Sequence, residues 1–482
     1  MAAARITALG RLSWRAMADE TKWTRRGFLT RSAQLAGGAL GAAALASLGL
    51  PGEERASPYG PLQTDPAGVI DLPAGFSYTT FSPVGAPMDD GLLTPGAHDG
   101  MAAFQGPQKS VILVRNHEQD LRGWSAYGKD AALLTPAIRA KLYDGAAPCL
   151  GGTTTLVYDM AHKKLTKSFL SLGGTARNCS GGPTPWGSWL TCEESVVRAG
   201  GGFGKDHGYV FEVPAAATGL TSPAPLEALG RFNHEGVAVD ARTGVLYLTE
   251  DRGDGLLYRF LPIKPGKLEA GGRLQALRLH ELPGGRTENW RGRAIPLRKR
   301  LVVSWVELRD VTSPKDDLRK QGAAAGATSF TRGEGIFAGG EGIYFACTDG
   351  GARHKGQLWL YRPGQAELSA KTREPTGTLE LVAEPNDPNA FDNIDNLVVA
   401  PWGDVIAVED GPKGNGLLGV SPKGEVYPIG RYRKSVTELA GPTFSPDGST
   451  LFVNAQFPGL TLAITGPWRP PAGPAPAGPA PR

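Results

Sequence analysis

A recurring hairpin pattern constrains this chain more than any other feature of its sequence. At Glu235-Gly236 a carboxylate followed by glycine opens a short apolar run. A turn at Arg242-Thr243-Gly244 leads to a second apolar run that ends on Glu250 and Asp251. The same plan runs from Asp99 to Glu118 and from Cys179 to Glu193-Glu194. It returns from Glu334 to Asp349, from Asp395 to Glu409-Asp410 and from Glu438 to Gln456. There are six copies, each starting on an acid or a thiol and carrying an acid or amide 14 to 19 positions later. Repeats of about 40 or more residues, built from several short strands, indicate propeller blades. The expected fold is all-β: a six-bladed β-propeller with a metal site at the central channel, plus small helical insertions.

In a propeller the innermost strand of each blade lines the channel, so residues that open these strands face one another. The positions are Asp99, Cys179, Glu235, Glu334, Asp395 and Glu438, five carboxylates and a thiol. A single acid beside a strand is an ordinary turn residue. A converging set repels itself unless cations sit between its members. The repeat therefore points to a metal site.

At 482 residues the chain has room for two or three average domains, but the repeat argues for one large toroid. The 67 glycines and 39 prolines fit many strands joined by tight turns. The net charge of +4 is too small to suggest a nucleic-acid partner. Near the start, Thr24-Arg25-Arg26-Gly27-Phe28-Leu29 is a twin-arginine pattern followed by an Ala/Gly/Leu-rich stretch. Residues 1–57 thus read as a twin-arginine signal peptide, 58–466 as the propeller and 467–482 as a Pro/Ala/Gly-rich disordered tail. The expected location is the periplasm or the exterior. The export machinery is then a partner, the membrane is met only during export, and the protein is expected to be a monomer. The four cysteines permit two disulfides. Cys179 belongs to the channel, and Cys192 and Cys347 read as small buried hydrophobes.

Blade one is expected from Asp99 to Tyr158, interrupted by an insertion over 119–151 with a helix near 135–142. Blade two is expected from Ser168 to Val213 and blade three from Leu229 to about Pro262. Residues 264–328 look charged and irregular, with a basic, solvated loop over 291–300 and a short helix over 314–321. Blade four resumes at Ser329, blade five at Asp392 and blade six at Val436.

Many carboxylates together select hard cations, calcium first, whereas a thiolate among them suits iron or another transition ion. A mixed cluster is therefore expected. Arg332 stands two residues before Glu334, and metal ions beside a guanidinium suit a phosphate group. Arg115, Asn116 and His117 precede Glu118, and Asn178 and His234 flank inner positions, where they would orient substrate or support ligands. Each histidine taken alone reads as structural.

The stretches Asn116-His117-Glu118, Asn178-Cys179-Ser180-Gly181-Gly182, Glu193-Glu194, Asn233-His234-Glu235-Gly236 and Arg332-Gly333-Glu334 resemble the PhoX-type alkaline phosphatases and their shorter relatives. The resemblance continues through Asp392-Asn393-Ile394-Asp395-Asn396 and Gly441-Pro442-Thr443-Phe444, and covers nearly the whole mature chain. It implies hydrolysis of phosphomonoesters by a cluster of ferric iron (Fe3+) and calcium (Ca2+), with a bridging oxide or water as nucleophile. It implies Cys179, Glu193, Glu194, Glu235, Glu334 and Asp395 as metal ligands, with Arg332, Asn116 and Glu118 on the substrate side. This chain departs from the family pattern at Gly333 and Asn396. Two other readings use the same scaffold: a calcium-dependent lactonase-like hydrolase, and a non-catalytic binding propeller stabilised by metal. Both leave Cys179 and Arg332 idle.

Overall fold

The computed structural model describes residues 57–469 apart from 147–148, 293, 365–376, 388–389, 412–415, 436 and 458. The twin-arginine stretch and residues 470–482 lie outside the described residues. The apolar runs form short antiparallel strands arranged in small sheets. The first sheet has the order His98–Gln105, Ser110–His117, Gly151–Asp159 and Lys164–Thr175. The second comprises Asn178–Pro183, Ser188–Glu193 and Val210–Pro214. The third runs His234–Val239, Leu246–Glu250, Leu257–Pro262, Gly272–Leu279, and the fourth Gly333–Gly339, Gly342–Cys347, Gln357–Pro363, Gly377–Ala383. Strand Arg300–Glu307 pairs with the outer edges of both and joins them into nine hydrogen-bonded strands.

The fifth sheet, Ile394–Val399, Val405–Glu409, Gly416–Val420 and Val426–Tyr432, is extended at its outer edge by Ile70–Pro73 and Leu62–Gln63. The last sheet, Leu439–Phe444, Thr450–Ala455 and Leu460–Thr465, takes its outer strand from the other end of the chain, Ser77–Phe81. The first strands of the sheets lie side by side in chain order, and Leu439–Phe444 packs against His98–Gln105 to close a ring. The arrangement is propeller-like.

The core follows from this arrangement, because each sheet buries both faces against its neighbours. Met101, Leu113 and Leu156 meet Phe452 and Ala463 across one gap. Val114 and Leu172 meet Trp189 and Phe211 across the next. Leu190 and Val210 then meet Leu246 and Leu248. Similar layers lie between the third and fourth, fourth and fifth, and fifth and last sheets. Each fully buried Leu or Val contributes about 1.5–3 kcal/mol, so stability is spread around the ring.

Several expectations need correction. Lys164–Thr175 is the outer strand of the first sheet, not the start of the second. The stretch 264–328 contains two strands; Arg273, Arg278, Arg300 and Glu307 give it a charged appearance, because these strands turn charged side chains outward. Arg298 lies in the exposed stretch 298–300, in keeping with a solvated loop, and pairs there with Glu380 at 3.1 Å. The helix expected over 135–142 is one turn, Pro136–Arg139, capped by the Thr135 hydroxyl. The second helix is displaced to Leu318–Ala324. The folded region continues past 466: the Trp468 ring packs against Tyr59, Phe76, Trp402 and Phe444. All four cysteines are free and buried, so neither permitted disulfide forms.

Candidate metal centre

One backbone irregularity builds the centre. In each ring strand the pairing register slips just after the strand begins: between His98 and Met101, Asn178 and Gly181, His234 and Val237, Gly333 and Ile336, Ile394 and Leu397, and Ala440 and Thr443. Such a bulge re-aims the side chain it carries. The bulged pairs are Asp99-Gly100, Cys179-Ser180, Glu235-Gly236, Glu334-Gly335, Asp395-Asn396 and Gly441-Pro442. The glycines are required by close approach. A Cβ on Gly100 would lie 2.6 Å from the Ser180 Cα, and one on Gly335 would lie 2.7 Å from the Asn396 Cα. This is the physical origin of the acid-glycine signature.

The register also corrects one expectation. The last copy carries Gly441 at the bulge, with φ +56, and not Glu438. A Cβ on Gly441 would meet the Asp99 carbonyl oxygen at 2.5 Å. Glu438 approaches from just before the strand.

The hairpin brings the second set of acids beside the first. At four of the six bulges the residue before the bulge pairs with the last residue of the next strand, and an acid follows: His98 with His117, Asn178 with Glu193, His234 with Glu250 and Ile394 with Glu409. The following residue, Glu118, Glu194, Asp251 or Asp410, therefore emerges next to the bulged side chain. The acid one step earlier points back into its own sheet, as strand alternation requires. Glu193 accepts from the backbone N–H groups of Ala176 (2.8 Å), Gly208 (2.8 Å) and Tyr209 (3.1 Å), and from His207 Nδ1 (2.6 Å). Glu250 accepts from the Tyr258 hydroxyl at 2.7 Å, and Glu409 from the N–H groups of Asp392 and Gly416. Burial raises both Glu250 and Glu409 to about 7.

The outward set forms a continuous chain of possible ligand groups. Asp99, Glu118 and Cys179 bring one donor atom each within 4.8 Å of one another, as do Cys179, Glu194 and Glu235. Glu235, Glu334 and Asp395 do the same, followed by Asp395, Asp410 and Glu438. Two carboxylates at such a separation repel by about 3 kcal/mol at an effective dielectric of ~20. The sulfur-bearing groups share Cys179, and the oxygen-only groups share Asp395. That donor chemistry fits a transition ion beside the thiolate and hard cations at the Asp395 end.

Two guanidiniums stand at the rim. Arg332 makes a two-pronged contact with Asp251 (2.8 and 2.9 Å) and reaches Glu334 at 3.0 Å. Arg177 reaches Glu118 at 2.7 Å and also contacts Glu194. Each arginine immediately precedes a ring strand and has a left-handed backbone, φ 53 at Arg177 and φ 50 at Arg332. The Glu194 and Glu118 charges hold Arg177 well above its ordinary pKa, more than offsetting burial. Gln456 Nε2 donates to both Asp99 (2.8 Å) and Glu118 (2.9 Å), and Asn233 donates to Glu194.

The structure thus brings together Glu118, Cys179, Glu194, Glu235, Glu334, Asp395 and Arg332. It separates Glu193, whose carboxylate is used inside its own sheet. Nor does it leave Asn116 available to substrate. This fully buried amide donates to the carbonyls of Cys179 and Ser180 and accepts from Trp189 and Thr191, so it fixes the bulge that aims Cys179. His98, His117 and His234 are buried, bonded to the Pro95, Gly96 and Gly230 carbonyls, and pushed below the usual histidine range by desolvation. Arg177 escaped the sequence reading. It precedes Cys179 by the same two residues that separate Arg332 from Glu334, and that offset was the available signal.

A closed ring of small sheets with acids, a thiol and arginines gathered at the starts of its inner strands defines a propeller-like protein whose central residues are ligand-type groups. The family model for alkaline phosphatase PhoX matches residues 57–459. The chain belongs to the PhoX alkaline phosphatase family, whose members are phosphomonoesterases. The solved structure of Pseudomonas fluorescens PhoX in complex with vanadate, a transition state analogue, superposes with a TM-score of 0.63 at 19% identity, covering 84% of this chain and 97% of that one. A gluconolactonase from Xanthomonas campestris covers 82% of this chain and 96% of its own at 10% identity, with a TM-score of 0.38, which carries no argument. No curated protein sequence matches the chain.

Proposed function

We propose that this protein is an exported, six-bladed propeller phosphatase that hydrolyses phosphomonoesters with an iron-calcium cluster held in its ring of acids. The observation that carries the reading is the unbroken run of ligand groups from Asp99 to Glu438, with one thiol in it and a guanidinium at each of two rim positions. Asp99, Glu118, Cys179, Glu194 and Glu235 would hold iron, and Glu334, Asp395, Asp410 and Glu438 calcium. When bound, these ions supply Lewis-acid polarisation of the phosphoryl group.

The remaining work falls to the side chains. Arg332 and Arg177 bind phosphate oxygens, and their forked donors suit the planar spacing of two such oxygens. Asp251 holds the Arg332 guanidinium in place through two parallel bonds. Gln456 keeps Asp99 and Glu118 together, and Asn116 fixes the backbone under Cys179. The twin-arginine pattern at Arg25-Arg26 supports export to the periplasm or beyond.

The test is elemental analysis of natively exported protein with p-nitrophenyl phosphate hydrolysis on the same sample. Iron, calcium and turnover together are expected. Calcium alone without hydrolysis would overturn the iron-thiolate assignment and favour a lactonase-like or binding role.

A further inference from the structure

A second group of metal-ligating side chains lies outside the ring, behind Glu193. His207 Nε2 faces Asp144 Oδ2 at 3.6 Å and Cys149 Sγ at 3.8 Å, and the three donor atoms lie within 4.8 Å of one another. All three residues are buried. Asp144 and Cys149 belong to the insertion between the second and third strands of the first sheet. His207 lies on the connection inside the second sheet, so the group ties the insertion to its neighbour.

We propose that Asp144, Cys149 and His207 form a buried site for one divalent transition cation of the zinc type. The spacings are the first argument. An N···O separation of 3.6 Å is too long for a direct hydrogen bond. Donors at ~2.0–2.3 Å around a tetrahedral ion sit roughly 3.3–3.7 Å from one another, so the 3.6 Å gap falls within that range and the 3.8 Å gap to sulfur lies just beyond it, where a small inward movement closes both on one cation. The second argument is independent. His207 Nδ1 donates to Glu193 at 2.6 Å, and Glu193 is itself fixed by three backbone N–H groups. A carboxylate on the far ring nitrogen sets the tautomer and turns the other nitrogen's lone pair toward a metal. The Tyr143 and Phe203 rings pack edge-on against the imidazole and hold its plane.

The chemistry and charge also balance. One carboxylate and one thiolate neutralise a divalent ion, and neutral His207 supplies the third donor. Binding displaces the thiol proton of Cys149 and any proton on His207 Nε2, both of which pass to solvent. Sulfur, nitrogen and oxygen together favour zinc or a similar ion over calcium. This site does not depend on the ring or on phosphatase activity.

The experiment uses the full chain with Zn2+ or Co2+ alone as probe. In Cys179→Ala, where the ring has no thiol, one zinc per chain should remain after desalting, and Co2+ should give a thiolate charge-transfer band. Adding Cys149→Ser should abolish the band and lower the zinc content by one. In an otherwise unaltered chain, Cys149→Ser should lower the zinc content by one and leave the iron content unchanged. Cys179→Ala protein that shows no thiolate band with Co2+ overturns the proposal, as does a band that survives Cys149→Ser. Should the Cys179 variant fail to fold, the zinc content of the single Cys149→Ser protein decides the matter alone.

Discussion

The two neighbours Glu193 and Glu194 have the same chemistry and opposite roles. Glu193 turns into its sheet, where three backbone N–H groups and an imidazole meet it. Glu194 turns into the ring, where it stands within 4.8 Å of Cys179 and Glu235 donors. The same division separates Glu250 from Asp251 and Glu409 from Asp410. What a buried carboxylate does is set by the donors around it. Where the backbone supplies them the acid holds the fold, and where other acids crowd it the acid costs stability.

Substitutions on the two sides of this division should behave differently. The largest effect is expected from Glu235→Gln, which removes a donor shared by two ligand groups. Hydrolysis of p-nitrophenyl phosphate should fall on the order of 10²–10³-fold. The melting temperature of metal-stripped protein should hold or rise, since one repelling charge is gone. Glu193→Ala should do the reverse to the fold. Four buried donors lose their acceptor, and urea unfolding should register a loss of about 3 kcal/mol. Equal stability loss in the two variants, both stripped of metal, would break the comparison. Arg177→Ala should raise KM and weaken inhibition by inorganic phosphate about tenfold, consistent with losing one charge-assisted contact of ~1.5 kcal/mol; unchanged phosphate inhibition would remove Arg177 from the substrate side.

The smallest effect concerns pH. Burial raises Glu250 to about 7, so the folded state holds this proton more tightly than the unfolded chain. Its stabilising contribution is complete below about 4.5, the ordinary glutamate range, and is lost as pH rises through 7. Metal-stripped protein should lose on the order of 1 kcal/mol or more across that window, and Glu250→Gln should make the profile shallower, with Glu409 keeping its own share. A wild-type profile that rises with pH would contradict the assignment.

Much of this division was legible in the sequence. The acid-glycine pairs were visible because the ring strands approach too closely for a Cβ, and five of the bulged side chains carry chemistry. The sixth was misplaced because Gly441 has no side chain to mark the position, and Glu438 stood nearby. Glu193 looks like a ligand in the sequence because adjacent acids are alike until strand alternation sends them to opposite sides. Strands Gly272–Leu279 and Arg300–Glu307 were hidden by charges that face water. The approach of Asp144, Cys149 and His207 joins positions 58 to 63 residues apart through an insertion with no repeat to guide the reading.

The pairing of Ser77–Phe81 with Leu460–Thr465 has a consequence for how the molecule is made. Gln456, which ties Asp99 to Glu118, leaves the ribosome more than three hundred residues after them. The earlier sheets can form as they emerge, but the circle cannot shut until the final strand finds a partner synthesised long before. That is a long loop to close and a slow step. A nascent chain halted short of Leu439 would lack the strand that packs against His98–Gln105 and would hold its acids on an open arc. Completion of the circle is then the event that brings the first acid of the growing polypeptide beside the last.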